Sequence, residues 1–179
     1  MKRLLLLSGP IASGKTSVSS VLQRDHGFLP ISSGSFLREK LASESQPPDR
    51  YRLQELGDSL DKATDFSWLI ESVAKPAINS RPDVDNWLLD AVRKPRQVEL
   101  FRHCFTDAVM HVHLEAEESV LQKRYVARGS NELSEYLLST MHPNEICARS
   151  LVSLADKVLD TEEYSADEIA FQIMALLGS

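Results

Sequence analysis

Short apolar runs alternate along this chain with longer segments in which apolar residues recur every three or four positions. The runs have the length of strands buried on both faces, and the longer segments have the period of amphipathic helices. The predicted strands cover residues 3–7, 28–31, 86–92, 108–114 and 157–159. The predicted helices cover residues 15–24, 32–41, 51–63, 66–77, 117–127, 145–154 and 166–177, with one more starting at Pro95.

Strands that alternate with helices predict right-handed crossovers and a parallel sheet covered by helices on both faces. We therefore expect an α/β fold with three layers, α/β/α, doubly wound around a five-stranded parallel sheet. Residues 131–144 have weaker periodicity, which predicts a mobile or mixed segment. A chain of 179 residues, 42% of them hydrophobic, is long enough for one complete core, and we expect a single domain over residues 1–179.

The charge and cysteine content exclude several function classes. A net charge of -6 argues against general binding to nucleic acid or to an acidic membrane surface, which normally uses a basic face. Cys104 and Cys147 are far apart and have no metal-ligand spacing, which fits a reducing compartment. The opening leucine run is shorter than an export signal needs, and no segment approaches the roughly 20 apolar residues of a membrane span. We expect a cytoplasmic protein.

The most informative motif follows the first predicted strand. Residues 9–16 read Gly-Pro-Ile-Ala-Ser-Gly-Lys-Thr and match the P-loop pattern G-x-x-x-x-G-K-[ST] between a strand and a helix. Such a loop directs backbone N–H groups at a polyphosphate, while the lysine reaches the β and γ oxygens and the threonine ligates Mg²⁺. A plain glycine turn would explain the glycines but not the Lys-Thr pair. The expected nucleotide-binding residues are Gly9, Ala12, Ser13, Gly14, Lys15, Thr16 and Ser17.

A second candidate for the metal side is Asp90, at the end of the third predicted strand. Ligands of doubly wound sheets bind beyond the carboxyl ends of the strands, where an acid can hold Mg²⁺ through water or position an acceptor. The alternative is a strand-end residue that caps the next turn. We expect Thr16 and Asp90 to form the magnesium site.

Further segments carry a resemblance to a known group of enzymes. Ser33 and Arg38 follow the second predicted strand, and Asp90 is followed three residues later by Arg93 and then by Gln97. In these segments the chain resembles the nucleoside monophosphate kinases, a group that includes adenylate, cytidylate and deoxynucleotide kinases and the related dephospho-coenzyme A kinase. The resemblance implies that Ser33, Arg38, Arg93 and Gln97 bind the acceptor.

The resemblance continues in the second half of the chain. Arg124 and Arg128 are one helical turn apart, as in the helix that leads to the lid of these kinases, where arginines contact the donor base and phosphates. Residues 155–168 resemble the final strand and helix of the group, which lie near the donor base. The resemblance also implies an acceptor-binding insertion at about residues 32–80 and a lid at about residues 129–144. His142 receives no catalytic role.

These residues predict a small-molecule kinase that uses ATP and Mg²⁺. Catalysis by positioning and charge neutralisation assigns catalytic roles to Lys15, Asp90, Arg124 and Arg128. Two rivals stay open, a P-loop ATPase or GTPase switch and a non-catalytic nucleotide-binding module. The acceptor also stays open among AMP, CMP, a deoxynucleotide and dephospho-coenzyme A, as do the choice between ATP and GTP and the oligomeric state. Tyr51 and Trp68 fall in the segment expected to choose the acceptor but are more typical of core residues.

Overall fold

A parallel sheet forms the middle layer of the molecule. The computed structural model describes residues 2–128 and 132–178, so the predicted start of the lid at residues 129–131 lies outside the described residues. The strands are β1 Arg3–Ser8, β2 Leu29–Pro30, β3 Asn86–Leu89, β4 Val109–Glu115 and β5 Lys157–Asp160. Their order is β2-β3-β1-β4-β5 and every pairing is parallel, which confirms the predicted five-stranded parallel sheet.

Helices connect the strands. In the described part of the chain the α-helices are α1 Lys15–His26, α2 Ser33–Ser43, α3 Arg50–Thr64, α4 Lys75–Ser80, α5 Pro95–Phe105, α6 Glu118–Val126, α7 Leu133–Thr140, α8 Pro143–Ser150 and α9 Ala166–Gly178. A π-helical segment, Leu69–Ala74, precedes α4, and short 3₁₀ segments follow α5 and α8 at Thr106–Ala108 and Leu151–Leu154. The predicted helix over residues 66–77 is thus π-helical over much of its length.

The core lies on both faces of the central strand, because successive residues of β1 point to opposite sides. Leu4 and Leu6 belong to the cluster that contains Phe101 of α5, whereas Leu5 and Leu7 belong to the cluster that contains Leu22 of α1 and Ile173 of α9. All four leucines are buried. The two clusters produce the predicted α/β/α layers and leave the carboxyl ends of the strands free for a site.

The segment with weak periodicity is mostly helical where the structure describes it. Its residues form α7 and the start of α8. In α7 only Tyr136 is buried, with its ring 5.4 Å from that of Tyr125, while Leu133, Leu137 and Leu138 are exposed. The exposed leucines blur the apolar stripe, which explains why periodicity did not predict this helix.

The contribution of the core to stability can be tested with two phenylalanines, one buried and one exposed. Phe101 is fully buried and stacks on Phe105 with ring centroids 5.8 Å apart, whereas Phe171 of α9 is 71% exposed. We expect Phe101→Ala to lower the free energy of unfolding by about 3–5 kcal/mol. The same change at Phe171 should alter it by under about 0.5 kcal/mol. Urea denaturation of both variants checks this, and equal losses would contradict the assigned core.

Candidate functional site

The P-loop leaves the carboxyl end of β1 and passes against β4. Gly9 has φ 141°, and a Cβ built there would lie 2.3 Å from the carbonyl oxygen of Leu114, so a side chain has no room. Gly14 has φ 90° and precedes the first turn of α1. Ala12 also has positive φ, at 65°, and is buried. The loop is therefore wound into a tight cradle that starts where no larger residue fits.

Lys15 lies over this cradle. Its ammonium donates to the carbonyl oxygens of Gly9 and Pro10, at 2.6 and 2.7 Å. Burial, together with the guanidinium groups of Arg93 and Arg128, lowers the pKa of Lys15 to about 8, while the carboxylates of Glu145 and Asp90 oppose that shift. Neutral carbonyls compensate a buried cation only in part, so this ammonium favours an anion in the cradle.

A cavity of about 460 Å³, which we call the phosphate cavity, opens over the loop. Thr16 and Asp90 both line it. The Ser19 hydroxyl of α1 donates to Asp90 Oδ2 at 3.4 Å and so orients the carboxylate that follows β3. A hydroxyl and a carboxylate are oxygen ligands of the kind that Mg²⁺ prefers, so these two residues fit the predicted ion. Among the described residues no group of three or more His, Cys, Asp or Glu forms a metal cluster.

A second cavity of about 440 Å³, named the donor-base cavity after its expected occupant, is lined by Ala12 and Gly14 of the P-loop. Arg124 lines it and donates to Thr161, from Nη1 to Oγ1 at 2.7 Å and from Nη2 to the carbonyl oxygen at 2.8 Å. Ser17 lines it as well, and Arg128 lines both this cavity and the phosphate cavity. Arg124 is thus placed on the wall of the donor-base cavity, and its catalytic role stays a prediction.

The third cavity, also about 440 Å³, is called here the acceptor cavity. The structure brings together in its lining all four residues expected to bind the acceptor, although they come from different parts of the chain: Ser33, Arg38, Arg93 and Gln97. Arg93 also lines the phosphate cavity, as do Gln54 and Asn144. The two cavities therefore adjoin along a shared wall.

Gln97 has a structural task in addition to its place in the acceptor cavity. Its Oε1 accepts the backbone N–H groups of Arg93 and Lys94, at 3.0 and 3.2 Å, and closes the first turn of α5. The amide oxygen is therefore engaged by the backbone. The contact of Gln97 with the acceptor stays a prediction, and only the amide nitrogen is left to make it.

Sequence reasoning missed several residues that line these cavities. Asp58 and Asp61 of α3 and the neighbouring Lys94 line the acceptor cavity, and Glu145 of α8 lines the phosphate cavity. Glu145 Oε1 accepts the backbone N–H of Ile11 in the P-loop at 2.7 Å. The spacing of Asp58 and Asp61, one turn apart on a helix, was a signal for a shared face. No local pattern linked Glu145 to a loop 134 residues earlier.

Two aromatic residues were predicted to lie in the core, and the prediction is right for only one of them. Tyr51 is 74% exposed, so the interpretation of it as a core residue is wrong. Trp68 is buried, as predicted, and it also lines the acceptor cavity. The helix α3 presents Tyr51 to solvent in its first turn, while Trp68 follows the left-handed residues Asp65 and Phe66, which return the chain to the core.

The described part of the predicted lid covers the phosphate cavity. Leu138 and Ser139 of α7 and His142 at the start of α8 line it. His142 Nδ1 accepts the backbone N–H of Asn144 at 3.1 Å, and its ring contacts the amide of Gln54. The lid segment and α3 thus meet over the wall shared by the phosphate and acceptor cavities. Closure of this segment stays a prediction.

Comparison with known proteins places the chain in a family. The family described as an AAA domain matches residues 5–139, a range that contains the P-loop, Asp90, Arg93 and Arg128. The chain belongs to this family. Its P-loop domain has weak similarity to adenylate kinases, and sugar and shikimate kinases are among the solved structures that share its fold. The described part of the chain has no helix that is both long and apolar enough to cross a membrane.

Two curated relatives are adenylate kinases, each 27% identical to the chain. The enzyme of Prochlorococcus marinus matches over 137 residues, 74% of this chain and 72% of the relative. Adenylate kinase isoenzyme 5 of Homo sapiens matches over 134 residues, 74% of this chain but 23% of that longer protein. The chain therefore spans less than a quarter of the human relative.

Solved structures with low sequence identity share the fold. YorR from Bacillus subtilis, in complex with phosphorylated GDP, is 20% identical, with a TM-score of 0.58 over 98% of this chain and 96% of that one. Shikimate kinase from Bacteroides thetaiotaomicron is 12% identical, with a TM-score of 0.57 over 99% of both chains. These similarities show a P-loop kinase fold.

The buried lysine predicts how nucleotide binding depends on pH. The pKa of Lys15 is about 8 in the free protein, so the ammonium loses its proton as pH rises above that value. A bound polyphosphate favours the charged form of Lys15, so binding above about pH 8 takes up a proton. ATP affinity should therefore fall by up to about tenfold per pH unit in that range. Isothermal titration from about pH 7.5 to about pH 10 measures this, with Lys15→Ala expected to bind weakly and without that slope. A wild-type ATP affinity that does not change over this pH range would contradict the assignment of Lys15 as the cation that binds the phosphates.

Proposed function

We propose that this protein transfers the γ-phosphoryl group of ATP to a nucleoside or deoxynucleoside monophosphate, or to a similar small phosphorylated acceptor. The observation that carries the proposal is Arg93, which lines both the phosphate cavity and the acceptor cavity. A cation on this shared wall lies where the phosphate of an acceptor would meet the end of a polyphosphate. Such a cation serves both partners of a transfer between phosphates.

The charges of the acceptor cavity support a phosphorylated acceptor. Arg38, Arg93 and Lys94 line it. Lys94 pairs with Asp58 at 3.7 Å, but Arg38 and Arg93 form no ion pair with any carboxylate among the described residues. Two guanidinium groups without a carboxylate partner suit the forked hydrogen bonding of a phosphate.

The roles of the chain's own residues follow from their positions. Lys15 and the P-loop N–H groups would bind the β and γ phosphates, Arg128 would neutralise charge between the donor-base and phosphate cavities, and Arg38 and Arg93 would orient the acceptor. Thr16 and Asp90 would hold Mg²⁺, which when bound neutralises charge on the phosphates. Because phosphoryl transfer is catalysed mainly by positioning and electrostatics, no covalent role for a side chain is needed.

Exclusion of water is the remaining requirement, since an open site would hydrolyse ATP. We assign it to residues 129–144, of which the described part forms one wall of the phosphate cavity. Residues 32–80 act as the acceptor-binding insertion within a single domain. Two free cysteines and a need for ATP suit a cytoplasmic protein.

An acceptor panel tests this function. ADP formation should depend on a nucleoside monophosphate, and Arg93→Ala should lower kcat/KM for that acceptor by about 10- to 100-fold, the value of a charge-assisted hydrogen bond. The matched control is Arg96→Ala, because Arg96 lies three residues after Arg93, in the first turn of α5, and pairs with Asp65 outside the cavities. A coupled assay of ADP release measures both.

The same panel separates the rivals. Equal ADP release with and without every acceptor would favour an ATPase switch. Turnover with shikimate, sugars or dephospho-coenzyme A, and with no monophosphate, would favour a kinase that acts on a hydroxyl group. ATP binding without turnover would favour a binding module. Each of these results would contradict the proposed acceptor class.

A further inference from the structure

We propose that Asp61 makes the acceptor cavity selective for a molecule that presents an amino group to its carboxylate. For a nucleoside monophosphate, that group is an exocyclic amino group of the base. The inference rests on the proposed function and sharpens it, since it divides the possible acceptors by the chemistry of their bases.

The position of Asp61 gives the first step. It lies on α3, is 6% exposed, and lines the acceptor cavity but not the phosphate cavity. Arg93 lines the wall between the two cavities. An acceptor with its phosphate on Arg93 therefore has the rest of the molecule in the cavity that Asp61 also lines.

The carboxylate of Asp61 is held in place. The indole Nε1 of Trp68 donates to Asp61 Oδ1 at 2.8 Å, and Trp68 is itself buried, with its ring stacked on Phe36 at 5.6 Å between centroids. The side chain of Gln97 also helps to stabilise the charge of Asp61. The hydrogen bond from the indole therefore orients the Asp61 carboxylate in the wall of the acceptor cavity.

The remaining acceptor sites of the Asp61 carboxylate can bind hydrogen-bond donors only. An ionised carboxylate has about four acceptor sites and no proton to give, and the hydrogen bond from Trp68 uses one of them. Burial raises the pKa of Asp61, which shows that its charge is poorly solvated, while the Trp68 hydrogen bond and nearby Lys94 act in the opposite direction. An amino group would supply a donor to this charge, whereas a hydrogen atom or a carbonyl oxygen in the same place would not.

The neighbouring carboxylate, Asp58, differs from Asp61 in its partners and its exposure to water. Asp58 lines the same cavity one turn earlier, but it accepts from Asn144 Nδ2 at 3.4 Å and pairs with Lys94 Nζ at 3.7 Å. Its side chain is 39% exposed, so water can satisfy the rest of its capacity. Asp58 therefore balances charge, and Asp58→Asn is a matched control for Asp61→Asn on the same face of α3.

The experiment compares acceptors that differ by one amino group. The pairs are AMP with purine riboside 5′-monophosphate, GMP with IMP, and CMP with its 4-deamino analogue. Binding of each is measured by calorimetry, and kcat/KM by ADP release with ATP. We expect at least one pair in which the wild-type protein prefers the amino-bearing member by about tenfold or more, because a buried acceptor left without its donor disfavours the analogue.

The variants identify the residue responsible. In Asp61→Asn the preference should fall to about twofold or less, and thermal melting verifies that this variant is folded, since asparagine keeps a carbonyl oxygen for Trp68. In Asp58→Asn the preference should stay at about the wild-type ratio. If Asp61→Asn fails to fold, the wild-type preference within each acceptor pair still tests whether the cavity selects an amino group.

Two outcomes would overturn the inference. One is a wild-type protein that treats both members of all three pairs within about twofold, and the other is a preference that Asp61→Asn leaves intact. Failure of the proposed function looks different. A protein that binds amino-bearing monophosphates selectively through Asp61 but transfers no phosphoryl group supports this inference and contradicts the kinase reaction.

Discussion

The contact between the Gly9 backbone and the Leu114 carbonyl is the constraint on which the site depends. The first residue of the P-loop passes so close to β4 that a Cβ would lie 2.3 Å from that oxygen. Directly before it, the buried Ser8 hydroxyl lies 2.7 Å from His111 Nε2 and 2.9 Å from His113 Nδ1. Burial lowers the pKa of His113 to about 4, so the ring is neutral at physiological pH and joins Ser8 at the end of β1 to β4 without adding charge. The cradle is therefore fixed before any ligand arrives.

The three cavities are arranged around that cradle in the order that the proposed two-substrate reaction requires. Ala12, Gly14 and Arg128 line both the donor-base and the phosphate cavities, and Arg93 lines both the phosphate and the acceptor cavities. Arginines thus stand at both junctions. The chain carries a net charge of -6, so its affinity for anions is local to this row of cations rather than a property of its surface. Asp58, Asp61 and Glu145 interrupt the row of cations with carboxylates.

The features that could be predicted from sequence are those that one continuous segment determines. Buried parallel strands are continuous apolar runs, and Arg3–Ser8 was recognisable as one. The P-loop carries its glycines, lysine and threonine in eight consecutive positions. Asp90 and Arg93 follow a strand end, where the topology of such sheets places ligands.

The features that sequence did not predict arise between distant segments. The bond from Ile11 N–H to Glu145 crosses 134 positions, and the bond from Asn144 to Asp58 crosses 86. Asp61 was indistinguishable from a solvated helix residue until Trp68 was seen to donate to it. Helix α7 was obscured because it buries little of its apolar surface. Tertiary contacts decide each of these cases.

The central claim is that the adjoining cavities form one site for two phosphorylated substrates. Binding of a bisubstrate analogue, two nucleosides joined by a polyphosphate chain, tests it most directly. The account predicts that the analogue competes with both ATP and the monophosphate and binds at least about 100-fold more tightly than ATP, because one molecule gains the contacts of both substrates. An analogue that competes with ATP alone and binds no more tightly than ATP would contradict a two-substrate site.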